Sequence, residues 1–175
     1  DRCITRGIPG SMLPTLYGNS YEIHQGPGYV AIRYEMVNET RIIPLDRRPH
    51  VSGKIHEYLG DARGHFEGNT LVVETTNFNG RTGSLARNGN GNPTSDALRV
   101  TERFTRTGVS TLQYRVTIDD PKFYTKPWVA LDKLRLRLQP ATFDIREMEC
   151  SPSETAAYNK AFAEPAAGVQ GGEKK

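Results

Sequence analysis

The stretch STLQYRVTID, Ser110 to Asp119, constrains the fold more than any other. Leu112, Tyr114, Val116 and Ile118 fall at every second position, with Gln113, Arg115 and Thr117 between them. A period of two puts the first set on one face of a strand and the second on the other, so one face is buried and one is wet. PWVALDKLRLRL repeats the pattern: Leu134, Leu136 and Leu138 point in, and Lys133, Arg135 and Arg137 point out. In NTLVVETTN, Leu71, Val73 and Thr75 share a face, as do Val100, Glu102 and Phe104 in RVTERFT. SYEIHQ and GYVAIRYEM flank Gly26-Pro27-Gly28 and read as a hairpin, with TRIIPL following as a strand that Pro44 confines to an edge.

The pattern gives eight or nine strands, with FDIREME the last. No helical pattern alternates with them, which excludes a parallel α/β sheet. Short connections predict an antiparallel meander. Closure into a β-barrel would remove its exposed edges, and a β-sandwich is the alternative. Two helices are expected: a short one in SGKIHEYL, capped by Ser52, and a C-terminal one over residues 151–164, with Ser151 or Ser153 as cap. The chain then divides into an irregular N-terminal arm (1–19), a β-rich domain (20–150), the helix (151–164) and a polar tail (165–175).

At 175 residues the chain suffices for one domain, and 36% hydrophobic with 25% charged residues excludes a disordered one. A net charge of +3 is too small to argue for nucleic acid, and no apolar run is long enough to span a bilayer. The sequence starts at Asp1 without an initiator Met or a signal peptide, and reads as a processed or truncated product. Cys3 and Cys150 are even in number and lack metal or redox spacing, which favours a bridge over two separate thiols. Such a bridge would contribute about 3–5 kcal/mol through chain entropy and would imply an oxidising compartment.

Asp61, Arg63, His65 and Glu67 alternate along GDARGHFEG. A carboxylate beside a histidine can form an acid–base pair, but no Ser or Cys stands in a nucleophile elbow. The spacing fits a loop entering a hairpin. Phe66 would plug the core, Gly68-Asn69 would turn the chain, and Arg63 and Glu67 would brace it. Should the domain be an extracellular hydrolase or lyase acting on carbohydrate, Glu35, His50, Asp61 and Glu67 are the catalytic candidates. His24, His50, His56 and His65 lack metal-site spacing, and no cofactor is called for. Glu102 on an inner face needs a partner; the pairs Glu102–Arg33 and Glu35–Arg41 are open to it, with Arg33 and Glu35 on the face of Tyr29 and Ala31. Arg33, Glu102 and Tyr114 would be the polar groups of a small-ligand cavity. Asn38-Glu39-Thr40 is an N-glycosylation sequon in a turn. The row Lys133, Arg135 and Arg137 could meet an anionic polymer, or simply be a solvated face that blunts edge pairing.

RCITRGIPGSMLPTLY, RIIPLDRRPH, GDARGHFEGNTLVVETTNF, TERFTR and KPW together resemble the C-terminal region of an uncharacterised secreted family of environmental, Acidobacteria-like bacteria. The resemblance spans roughly residues 2–150. It implies export to the periplasm, cell surface or medium, and carries no catalytic residue. The sequence departs from that family's wording at Arg47, where Gly is common, and at His65, Phe66 and Asn69, where Arg, Trp and Asp are usual. FEGNTLVVE is also similar to the strand-turn-strand of lipocalin-like barrels, an analogy of fold alone. The leading expectation is an exported structural or interaction domain that assembles with copies of itself, into a filament or oligomer, through its arm and tail. A β-barrel binding a small molecule or glycan is the alternative.

Overall fold

A computed structural model describes residues 5–14, 18–81, 91–145, 156–157 and 159–163. Among these residues eight strands follow one another: β1 (Tyr21–Gly26), β2 (Tyr29–Tyr34), β3 (Thr40–Pro44), β4 (Asp61–Glu67), β5 (Thr70–Thr76), β6 (Arg99–Gly108), β7 (Thr111–Asp119) and β8 (Trp128–Arg137); most of FDIREME, the last strand expected, lies outside them. All pairings are antiparallel between sequence neighbours, as the short turns require. Gly28 and Gly68, both at positive φ, turn the β1–β2 and β4–β5 hairpins.

The meander does not close. It forms two antiparallel sheets, β1-β2-β3 and β4-β5-β6-β7-β8, instead of the expected barrel. The ladder breaks between β3, which ends at Pro44, and β4. Side-chain contact replaces it there: a Cβ on Gly64 of β4 would lie 2.7 Å from Ile43 Cγ2 and 2.9 Å from Leu45 Cδ2. The absent side chain lets β3 approach the second sheet. At the other end, β1 and β8 each pair on one side only among the described residues.

One core joins the sheets. Val30, Ile32, Tyr34 and Ile43 from the first meet Leu71, Val73, Val100, Phe104, Tyr114, Val116 and Ile118 from the second. The alternation read from β5, β6 and β7 thus holds. On β2 the inner face is Val30, Ile32 and Tyr34, so Arg33 lies on the face opposite to the core cluster. β8 keeps Leu134 and Leu136 inward through two register shifts against β7. Leu138 falls past the end of β8 and is exposed.

The arm also belongs to this core. Residues 10–12 form a 3-10 turn, and Ile8 and Met12 are fully buried among the sheet residues. Each such side chain contributes about 1.5–3 kcal/mol on burial. Ile8 and Met12 of the arm are therefore spent within their own chain.

The short helix expected in SGKIHEYL is a turn. Ile55 N–H donates to Ser52 O, and the Ser52 hydroxyl accepts weakly from Lys54 N–H. Asn77 Nδ2 donates to the carbonyls of Ser52 and Ile55, at 3.1 and 3.0 Å, which a helix would have used itself. Glu57 is drawn into a bridge with Phe78. Of the expected C-terminal helix, Asn159–Ala163 take a π-helical turn, and most of the remainder lies outside the described residues. Cys3, Cys150 and the tail 165–175 also lie outside them.

Candidate functional site

Three arrangements of polar or exposed residues stand out. The first is a buried network linking the sheets. Arg41 on β3 shares an inward face with Ile43, and its Nη1 donates to Glu102 Oε2 at 2.6 Å. Tyr114 O–H donates to Glu102 Oε1 at 2.9 Å. Side-chain exposure is 2% for Arg41 and 0% for Glu102, so water screens the pair little. Burial raises the Tyr34 and Tyr114 hydroxyls well above the ordinary phenol range, and both stay protonated. Burial is the largest influence on Arg41 and pulls it down, but the Glu102 carboxylate with Tyr34 and Tyr114 together push it up further, so it stays charged. Arg41 Nε and Nη2 and the Tyr34 hydroxyl have no protein partner among the described residues.

This network corrects the sequence-based pairing. Glu102 takes Arg41 and not Arg33, while Arg33 binds Glu22 Oε2 and Asn38 Oδ1 at the β2–β3 end of the other face. Glu35 accepts from Ser20 N–H and has no contact with Arg41. Tyr114 and Glu102 do meet, but in a filled interior rather than around a cavity. Asn38, the sequon residue, is half-buried at positive φ in the β2–β3 turn, with its oxygen held by Arg33.

The second arrangement is the clamp in the GDARGHFEG stretch. Asp61 Oδ2 accepts from Val51 N–H at 3.0 Å and lies 2.8 Å from His50 Nδ1. Asp61 Oδ1 accepts from Arg63 Nη1, and Arg63 also donates to the Pro49 carbonyl. Partial burial pushes the Asp61 carboxyl up, but these donors outweigh it and hold it below the usual range. A His–carboxylate pair is thus present. Among the described residues no hydroxyl or thiol partners His50, so the pair stands there without the nucleophile of a triad. Glu67 is engaged separately, by Arg103 Nη2 at 2.5 Å and by His65. Glu35 sits on the other sheet. The four catalytic candidates therefore fall into three places, of which only His50 and Asp61 touch.

The third is an open groove of about 1090 Å³ between the unpaired edges of β1 and β8. Val30, Ile32, Leu71 and Phe104 make its floor, and Ile23, Phe66 and Phe143 its exposed rim. Phe66 does not plug the core as the sequence suggests. It shares the inner face of β4 with Ala62 and Gly64, but at 48% exposure it opens into this groove. The outer edge of β1 has no strand partner among the described residues. Gly26 and Tyr29 flank a two-residue turn and form a hydrogen-bonded pair, so His24 and Glu22 also bond to β2. The backbone N–H and C=O groups of Tyr21, Ile23 and Gln25 then point away from the sheet. Leu138 N–H donates to Ser110 O, and the same alternation leaves those of Arg135 and Arg137 pointing off β8.

Fold and groove together define a mainly β domain whose described residues form two antiparallel sheets, with β1 and β8 as the edge strands beside the groove. No protein-family model, curated protein or solved structure matches the chain.

Proposed function

We propose that this is an exported interaction domain that assembles with copies of itself through the groove between β1 and β8. One observation carries the reading: two strand edges, unpaired among the described residues, flank an exposed apolar surface on one face of the domain. A strand of a neighbouring copy would pair with the backbone of β1 and bury Ile23 and Phe66, which is strand addition. Because β1 and β8 differ, a β1-to-β8 contact is head-to-tail, and repetition without closure gives a filament. Export rests on the family resemblance and on the Cys3–Cys150 pair.

Light scattering and negative-stain electron microscopy of the whole chain test this. Concentration-dependent assembly is expected. Ile23→Lys, at a site already 40% exposed, should abolish assembly and leave the circular dichroism spectrum unchanged. A monomer at high concentration, or a variant that assembles as the parent does, refutes it.

The volume of the groove favours a second reading, an apolar small molecule bound there. It predicts saturable quenching or enhancement of an apolar dye by the monomer, lost in Phe66→Asp.

A further inference from the structure

We propose that the outer face of β6–β8 binds a linear acidic polysaccharide carrying uronate or sulfate groups along its length. The alternation that sends Glu102, Tyr114 and Leu136 inward sends Arg103, Arg115, Arg135 and Arg137 outward. Lys133 is exposed in the bulge of the same strand, at positive φ. Arg103 and Arg115 lie directly opposite one another in the ladder. Like charges so placed repel, and folding alone gives no reason for the arrangement.

Carboxylates temper this face: Asp119 on β7 stands opposite Arg99 on β6, and exposed Glu74 on β5 stands opposite Thr101. Glu67 binds Arg103, and Asp132 lies 3.7 Å from Arg115 with both half exposed. Lys133, Arg135 and Arg137 have no ion-pair partner among the described residues. A chain of net charge +3 thus gathers an uncompensated row of cations along one strand. Thr105, Thr111, Gln113 and Thr117 fill the spaces between the cations with hydroxyl and amide groups that can bond sugar hydroxyls.

The layout selects a polymer. The cations spread over three strands about 4.8 Å apart and do not converge on a point, so a small anion would meet only one or two of them. It also selects polysaccharide over nucleic acid. Bases bind by stacking on aromatic rings, and the large apolar side chain among these outward residues is Val129, not an aromatic one. The site lies on the sheet face away from the core; Arg135 and Arg137 also border the groove, but the proposal does not depend on the assembly reading.

Retention of the whole chain on immobilised polygalacturonate and on sulfated dextran, at about 50 mM salt, tests the proposal; unmodified dextran and duplex DNA serve as comparators. Binding to both acidic polymers is expected, falling steeply with salt. Arg115→Gln with Arg135→Gln and Arg137→Gln should weaken it about tenfold or more, and Arg135→Gln alone about two- to threefold. Lys54→Gln with Arg81→Gln and Lys126→Gln removes the same charge elsewhere and should change binding less than about twofold. The proposal is overturned by no retention on either acidic polymer, by equal loss in the two triple variants, by equal retention on unmodified dextran, or by tighter binding to DNA.

Discussion

Replacing Glu102 by Gln keeps the shape of the side chain and removes its charge. Arg41 then remains charged in the interior, with its single carboxylate partner gone. Two unit charges about 4 Å apart at an effective dielectric near 20 interact by about 4 kcal/mol. Loss of one partner of a buried pair costs about 3–5 kcal/mol, because the other charge stays desolvated. A domain of this size is stable by about 5–15 kcal/mol, so the variant should fold but only marginally. Urea unfolding followed by Trp128 fluorescence is the assay, since Trp128 packs edge-on against Tyr124. With an m-value of about 2 kcal/mol per M, the midpoint should fall by roughly 2 M. Replacing the charged pair and its tyrosine by apolar groups (Arg41→Met, Glu102→Leu and Tyr114→Phe) removes the stranded charge and the unmet Arg41 donors, leaving the Tyr34 hydroxyl as it is in the parent. That triple variant should lie near the parent or about 1–4 kcal/mol above it. A Glu102→Gln cost under about 1 kcal/mol, or a triple variant as weak as the single one, refutes the account.

Met12→Ala should cost about 2–5 kcal/mol in the same assay, because Met12 is fully buried in the shared core; a cost near zero would return the arm to the surface. Gly64→Ala should destabilise by about 1–3 kcal/mol, since the added methyl meets Ile43 and Leu45; an unchanged midpoint would mean the two sheets do not touch there. Asp61, Glu67 and Asp96 are held below the ordinary carboxyl range, and Asp46 at about 2, by their hydrogen-bonding partners. Depressed folded pKa values give stability that is present above the unfolded value near 4 and lost as pH falls through the folded ones. The urea midpoint should therefore hold from neutral pH to about pH 5 and drop below about pH 4. Glu39, raised by burial, acts in the opposite sense and offsets part of the drop. A midpoint that rises in acid would reverse the assignment.

The inward faces of β5, β6 and β7 were legible because Leu71 and Val73, Val100 and Phe104, and Tyr114 to Ile118 alternate without interruption. The same periodicity placed Glu102 inside. It could not supply Arg41 as the partner, because TRIIPL carries Ile on both faces: Ile43 is buried and Ile42 is 54% exposed. Phe66 and Leu138 lie on or beyond the correct inner face, yet both are exposed, since each borders the open groove rather than the packed core. Periodicity fixes a face and says nothing of depth. The arm had no period to read, because Ile8 and Met12 enter the core through a single 3-10 turn. Closure was illegible for a related reason: it depends on the register between β1 and β8, and no local pattern encodes that.

The edges left by the missing closure are guarded unequally. β3 ends in Pro44, and β4 carries Asp61, Arg63, His65 and Glu67 along its outer face. β8 combines Lys133, Arg135 and Arg137 with a bulged register. Each device opposes pairing with another strand. β1 has neither proline nor lysine nor bulge, and it exposes Ile23 beside the groove. In an assembly of copies this asymmetry decides the geometry. A β8-to-β8 contact would set Arg135 and Arg137 against their own copies and is disfavoured at low salt. A β1-to-β1 contact is isologous and stops at a dimer. A β1-to-β8 contact relieves both edges and leaves one of each free at the ends, so growth continues. The three outcomes differ in salt response and in size. A dimer insensitive to salt identifies β1 with β1, a dimer appearing only at high salt identifies β8 with β8, and particles that lengthen with concentration identify β1 with β8.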